Sequence, residues 1–162
     1  MKDLRRIIKS VVRGYLVEST NDNKIFYHGS DIVITQKDLK PKLMYFTDNY
    51  DEAVAYSVYK HNISNPNVIS ANLIMNNILR DKKILHLIAE KKGYNVYNYY
   101  SDAELVEQPG IVDELEKLGY DSAIFSDFGF LSDFEEFNAH IVFNAKKQVK
   151  IIVDDLLQNQ NN

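Results

Sequence analysis

Tyr27-His28-Gly29-Ser30, and after it Met44-Tyr45-Phe46-Thr47-Asp48 running on to Tyr56, are the stretches on which the reading of this chain turns. Lys24 to His28 reads as a short strand ending at Gly29, and Leu43 to Phe46 as a second brief strand. Thr47 or Asp48 can cap the helix that follows, because a short oxygen-bearing side chain accepts the free N–H groups of a first turn. Acidic Asp51 and Glu52 suit that positive helix end. The helix carries Ala53, Val54, Ala55, Tyr56 and Val58. A glycine at a strand end lets a flat ligand approach main-chain N–H and C=O groups, and His28 beside it can donate a hydrogen bond. Tyr45 and Tyr56 meet only if the helix folds back beside its strand. They could then sandwich a planar aromatic ligand, with stacking worth about 1 kcal/mol per pair. The competing expectations are plain: His28 satisfied at a sheet edge, and both tyrosines as core aromatics.

Outward from these segments the chain reads as alternating helices and strands. Leu4, Ile7, Ile8, Val11, Val12 and Tyr15 recur at i, i+3, i+4 and i+7, which predicts an amphipathic helix over residues 3–16. Its basic residues Arg5, Arg6, Lys9 and Arg13 read as a solvated face. Ser19 to Asn23 is a turn cluster, and residues 30–43 read as loop-rich. Val68 to Met75 predicts a strand, and Asp81 to Lys92 a helix with Ile84, Leu85 and Ile88 inward and Gly93 as its stop. Ser101-Asp102-Ala103-Glu104 has capping-box spacing. Pro109-Gly110 breaks the pattern, and Ile111 to Leu118 forms a short helix stopped by Gly119. Three strands are expected at the end: Asp121 to Ser126, His140 to Phe143 and Val149 to Val153. The whole is an α+β chain in one domain over residues 1–162, with residues 1–17 as an N-terminal helix and residues 157–162 as a frayed tail.

Composition narrows the chemistry. There is no cysteine, which excludes disulfides, thiolate metal sites and a cysteine nucleophile. The 19 basic residues are scattered in a chain of net charge -4, so stable nucleic-acid binding is not expected. No apolar run approaches the roughly 18 residues of a membrane helix. The apolar start is interrupted by Lys9, Arg13 and Glu18 and lacks a cleavage site, so it is not read as a signal sequence. The expectation is a cytoplasmic protein without membrane contact. No His/Asp/Glu spacing matches a metal site, and His61, His86 and Asp154-Asp155 read as structural or solvated. The 11 tyrosines include Tyr94, Tyr97, Tyr99 and Tyr100, either packing at a loop edge or forming a binding surface.

The order Tyr-His-Gly-Ser, then Tyr-Phe-Thr-Asp with Ala55-Tyr56 on the following helix, resembles the His-Tyr-Glu class of ADP-ribosyltransferases, which includes the poly(ADP-ribose) polymerases and diphtheria-like toxins. Gly119-Tyr120-Asp121-Ser122-Ala123-Ile124, His140-Ile141-Val142-Phe143 and Gln148-Val149-Lys150 look like the small domains of this kind in phage and mobile-element proteins. The likeness runs from about residue 24 to residue 153. It implies a split mixed β-sheet core with flanking helices. It also implies an enzyme that takes NAD as substrate, without a metal, cleaves the nicotinamide–ribose bond and passes ADP-ribose to a macromolecule. The partner would be a protein acceptor or host protein, met in the host cytoplasm if the chain is phage-encoded.

Carried over position by position, His28 would donate to the adenosine ribose 2′-hydroxyl and Gly29 would pair through its backbone with the nicotinamide carboxamide. Tyr56 would stack on nicotinamide with Tyr45 nearby, and Ser30 would sit by the adenosine. A serine that many members carry three residues before the stacking tyrosine is Ala53 here. The family glutamate, which steadies the cationic transition state as nicotinamide leaves, aligns with Ala139. Glu136, with Glu135 before it, is the carboxylate that an extended strand or a bulge would bring into the site. Asp127, Asp133 and His140 are weaker stand-ins. The alternative is a catalytically inactive module that binds NAD, ADP-ribose or a protein, such as a phage inhibitor of a host system.

Overall fold

Alternation along Phe26–Ser30 (β1) sends Phe26 into an apolar core and turns Tyr27 and Gly29 to the opposite face. The computed structural model describes residues 24–61, 66–128 and 136–152, with the backbone alone at residues 60, 61, 128 and 136. The helix expected over residues 3–16, the turn at Ser19 to Asn23, Asp133, Glu135, Asp154-Asp155 and the tail lie outside the described residues. The remaining elements are β2 (Met44–Phe46), α1 (Tyr50–His61), β3 (Asn67–Leu73), β4 (Ile78–Leu79) and α2 (Lys82–Lys91). After a 3-10 turn at Val96–Asn98 come α3 (Asp102–Val106), α4 (Ile111–Lys117), β5 (Ser122–Phe128), β6 (Glu136–Val142), α5 (Ala145–Gln148) and β7 (Val149–Ile151).

The strands form two sheets. One has the order β1-β3-β7 and is antiparallel throughout. The other has the order β2-β6-β5-β4, antiparallel except where β4 runs parallel to β5. Phe26, Ile69, Ala71 and Val149 from the first sheet meet Met44, Phe46, Ile124 and Val142 from the second in one core between the sheets. The far face of the second sheet, through Ala123, Phe125, Ala139 and Ile141, packs on α2, α3 and α4. Leu85, Ile111, Leu115 and Ile141 are wholly buried there, each worth about 1.5–3 kcal/mol of transfer free energy. The chain is thus α+β, with mixed sheets and flanking helices.

Local signals set most boundaries. Asp81 caps α2 by accepting from the Lys83 N–H, and Gly93 and Gly119 take positive φ angles of 87° and 96° just past α2 and α4. The cap of α1 is Asn49, whose Oδ1 accepts from the N–H groups of Asp51 and Glu52; Thr47 Oγ1 instead accepts from Asn49 N–H. Ser101 accepts from Glu104 N–H as the capping spacing predicts, but the Glu104 carboxylate accepts from Tyr100 N–H rather than from the cap residue itself. Asp121 and Gln148 act as a staple. The Asp121 carboxylate accepts from the N–H groups of Asn76 and Asn77, and Gln148 Nε2 donates to the carbonyls of Ile74 and Asp121. Among the described residues no helix is long and apolar enough to cross a membrane.

Candidate functional site

The sheets part where β1 leaves β2. Tyr27 and Thr47 exchange both backbone hydrogen bonds, at 2.8 and 2.9 Å, and the pairing ends there. Backbone polarity alternates along a strand, so the N–H and C=O of Gly29 point to the same edge as those of Tyr27. The other edge belongs to β3, where Ser70, opposite Tyr27, already gives its carbonyl to Ile152 in the next strand. Beyond the Tyr27–Thr47 bridge the Gly29 peptide groups therefore face the split. Outside the strand ladders, no backbone hydrogen bond among the described residues uses them.

The ring of His28 spans that split. Its Nδ1 lies 2.7 Å from the Tyr45 carbonyl oxygen, and the ring lies 5.6 Å from that of Phe46. A carbonyl only accepts, so Nδ1 carries a proton and donates to it. Gly29 has a further role. A Cβ there would lie 2.0 Å from the Ala53 carbonyl oxygen and 2.9 Å from Ser57 N. The space freed by the missing side chain is filled by the backbone of α1, and what Gly29 offers to the split is its peptide edge.

Ser57 and Ser30 fix this corner. Ser57, wholly buried on α1, donates from Oγ to the Ser30 carbonyl at 2.7 Å and accepts from Asn67 N–H at 3.1 Å. The Ser30 hydroxyl accepts from Ile32 N–H at 3.2 Å, so its nearest polar contacts are with its own turn. The position at which the resemblance implies a helix serine is Ala53. The helix hydroxyl facing β1 is instead one turn further on, at Ser57.

Tyr45 and Tyr56 come close enough to influence each other. Tyr45 rises from β2 and donates from its hydroxyl to the Ala103 carbonyl at 3.0 Å, with its ring against the core beneath α3. Burial first, then the charge and hydrogen bond of Glu107, then Asp127 and Tyr56, push its phenol far above the ordinary range. Tyr56 is half-buried on α1, and burial, Glu107 and Asp127 push its phenol up as well. Glu107 and Asp127 are thus the carboxylates that bear on both rings. Asp127 was a secondary candidate from sequence; Glu107, just past the end of α3, was missed, since only tertiary packing brings it to Tyr45.

Residues on β6 divide by face. Ala139, opposite Phe125, is 1 % exposed and turned into the helix-side core. A glutamate there would lie among apolar side chains. Glu136 is the first residue of β6, opposite Phe128, so the strand does extend back to it, without a bulge. His140 points the other way, between the sheets, with its ring 4.6 Å from Phe26. It is 7 % exposed, and neither ring nitrogen finds a partner among the described residues. Burial pulls its pKa down from 6.5 to about 4, which keeps the ring neutral.

Past Asp127 the surface opens into a cavity of about 280 Å³ lined by His86, Asp102 and the tyrosines 97, 99 and 100. His86 Nε2 lies 2.5 Å from Asp102 Oδ1, so a histidine that reads as structural from sequence forms part of a polar wall. Among the described residues no group of three or more His, Asp or Glu is placed to hold a metal ion. No family model, curated protein or solved structure matches the chain.

Proposed function

We propose that the chain has an ADP-ribosyltransferase-like split-sheet core and acts as an NAD-dependent ADP-ribosyltransferase on a macromolecular acceptor. The observation that carries this reading is the split itself, which turns the peptide edge of buried Gly29 away from β3, beside a His28 ring that reaches across to the Tyr45 carbonyl. A donor and an acceptor side by side on one backbone residue match the two ends of a carboxamide. Tyr56 would supply the stacking face, and His28 would hydrogen-bond a ribose hydroxyl. In the reaction the bond between ribose C1′ and the nicotinamide nitrogen breaks, with its electron pair leaving on nicotinamide. The acceptor nucleophile then bonds to C1′ and gives up a proton. A carboxylate steadies the positive charge that develops on the ribose. Glu107 and Asp127 have the tyrosine pair in their favour, and Glu136 opens β6 three residues before Ala139, where the resemblance puts the family glutamate.

The test is incubation of the folded protein with NAD labelled on its adenylate half, following label transfer to lysate proteins and release of nicotinamide. Transfer or release is expected. Tyr56→Ala should weaken NAD binding roughly tenfold, and the Glu107→Gln, Asp127→Asn and Glu136→Gln variants should single out one carboxylate by a loss of about a hundredfold in rate. Neither transfer nor release from folded protein removes the enzyme reading. Ala139, buried where the family has its glutamate, favours a second reading, a module that binds NAD or ADP-ribose without turnover. Calorimetric binding of NAD without hydrolysis would distinguish it.

A further inference from the structure

Residues 94–101, Tyr-Asn-Val-Tyr-Asn-Tyr-Tyr-Ser, are fixed in backbone yet bare at two rings. Asn95 Oδ1 accepts from Tyr97 N–H at 3.1 Å, and the Glu104 carboxylate accepts from Tyr100 N–H at 2.8 Å. Tyr94 donates from its hydroxyl to the Pro109 carbonyl and meets Tyr99 edge-on at 6.3 Å. Tyr97 and Tyr100 nevertheless stay 92 % and 87 % exposed. Large rings held out in water by an anchored loop mark a place that a ligand covers, and a preset loop lowers the entropy lost on binding. Both rings line the cavity of about 280 Å³, together with Tyr99, Ser126 and the His86–Asp102 pair.

The lining decides the class of ligand. Among the described residues it holds no lysine or arginine, and its histidine is engaged by Asp102, so a phosphate or carboxylate finds no cation there. Asp102 is in turn taken up by His86, and Asp127 is not a free carboxylate, so a cation has no claim on the site either. What fits is a neutral molecule with apolar faces for the rings and a rim of groups that give and accept hydrogen bonds, as the hydroxyls of Ser126 and the tyrosines do. A sugar ring has that form: its C–H faces lie on aromatic rings while its hydroxyls point outward. A nucleobase also has the faces, but sites that stack the bases of a nucleic acid follow a basic groove, which this lining lacks.

We propose that this cavity binds the end of a neutral oligosaccharide, with the terminal ring inside and sugar faces laid on Tyr97 and Tyr100. Neither NAD nor the split between the sheets enters this inference, which goes beyond the transferase reading and does not depend on it.

The experiment titrates the full chain, without NAD, with cellotetraose, maltotetraose, tetra-N-acetylchitotetraose and, separately, adenosine, followed by amide chemical shifts. At least one of the tetrasaccharides should bind in the millimolar range or tighter and shift the backbone signals of residues 97–102 and 126. Tyr97→Ala and, separately, Tyr100→Ala should each weaken it by about tenfold, while Tyr97→Phe, which keeps the ring face, should retain most of the affinity. Both rings are so exposed that these variants test the site without threatening the fold. No shift with any tetrasaccharide at tens of millimolar, adenosine binding at these residues more tightly than every tetrasaccharide, or sugar binding untouched by both alanine variants overturns the proposal. NAD is absent from the assay, so such a failure leaves the transferase reading standing. Loss of that reading in the labelled-NAD test likewise leaves this one standing.

Discussion

The two edges of β1 contrast. The closed edge pairs with β3 from Phe26 to Ser30, and the face above it lies so near α1 that no side chain fits at Gly29. The open edge pairs once, at Tyr27–Thr47, and then leaves His28 and a bare peptide edge to fill the gap. One short segment thus serves as scaffold on one side and, under the proposed function, as recognition surface on the other. The lesson is that the two edges of Tyr27-His28-Gly29-Ser30 can be tested apart, by substitutions that break one and spare the other.

Gly29→Ala strikes the closed side hardest. With a Cβ only 2.0 Å from a helix carbonyl, α1 must move, and a destabilisation of about 3 kcal/mol or more is expected in denaturant unfolding. Acid comes next, through His140 between the sheets. Its folded pKa of about 4 lies below the ordinary 6.5, so the unfolded chain binds the proton more readily. The stability held above pH 6.5 should fall as pH drops toward 4, by roughly 3 kcal/mol at most, and then level off. Unfolding midpoints measured across that range, with His140→Phe as a flat control for this contribution, check the sign. Ser57→Ala leaves the Ser30 carbonyl and the Asn67 N–H without their buried partner and should cost about 1–3 kcal/mol. The smallest effect belongs to Lys24→Met, which removes an exposed ion pair with Asp48 and should change stability by less than about 1 kcal/mol. If Ser57→Ala proved as damaging as Gly29→Ala, the closed edge would rest on hydrogen bonds rather than on close packing.

Much of the fold was legible because its signals are local. Ile84, Leu85 and Ile88 share one helical face, and all three are buried. The β1, β2 and β3 strands lie within a residue or two of where alternation and turn residues put them. Two-residue β4 and four-residue α5 were not readable, since neither spans a full period of any pattern. The site was less legible than the fold. Glycine at position 29 is explained at least as well by α1 as by a ligand, which a motif cannot disclose. Glu107 meets Tyr45, and His86 meets Asp102, only through packing, and no spacing along the chain encodes that. The split between the sheets is itself a tertiary fact, visible only in which backbone groups go unpaired.

The last described strand has a consequence for how the molecule assembles. β7 returns from the far end of the described chain to pair with β3, and Gln36 clasps its other side, giving a hydrogen bond to the Val149 carbonyl and accepting one from Ile151 N–H. These are contacts of great sequence separation, and closing such loops is slow. The helix-side half, built largely from neighbouring segments, can form first, while the sheet that bears His28 and Gly29 waits for β7. During synthesis on the ribosome, the sheet that bears His28 and Gly29 would therefore be completed only after Ile151 has emerged.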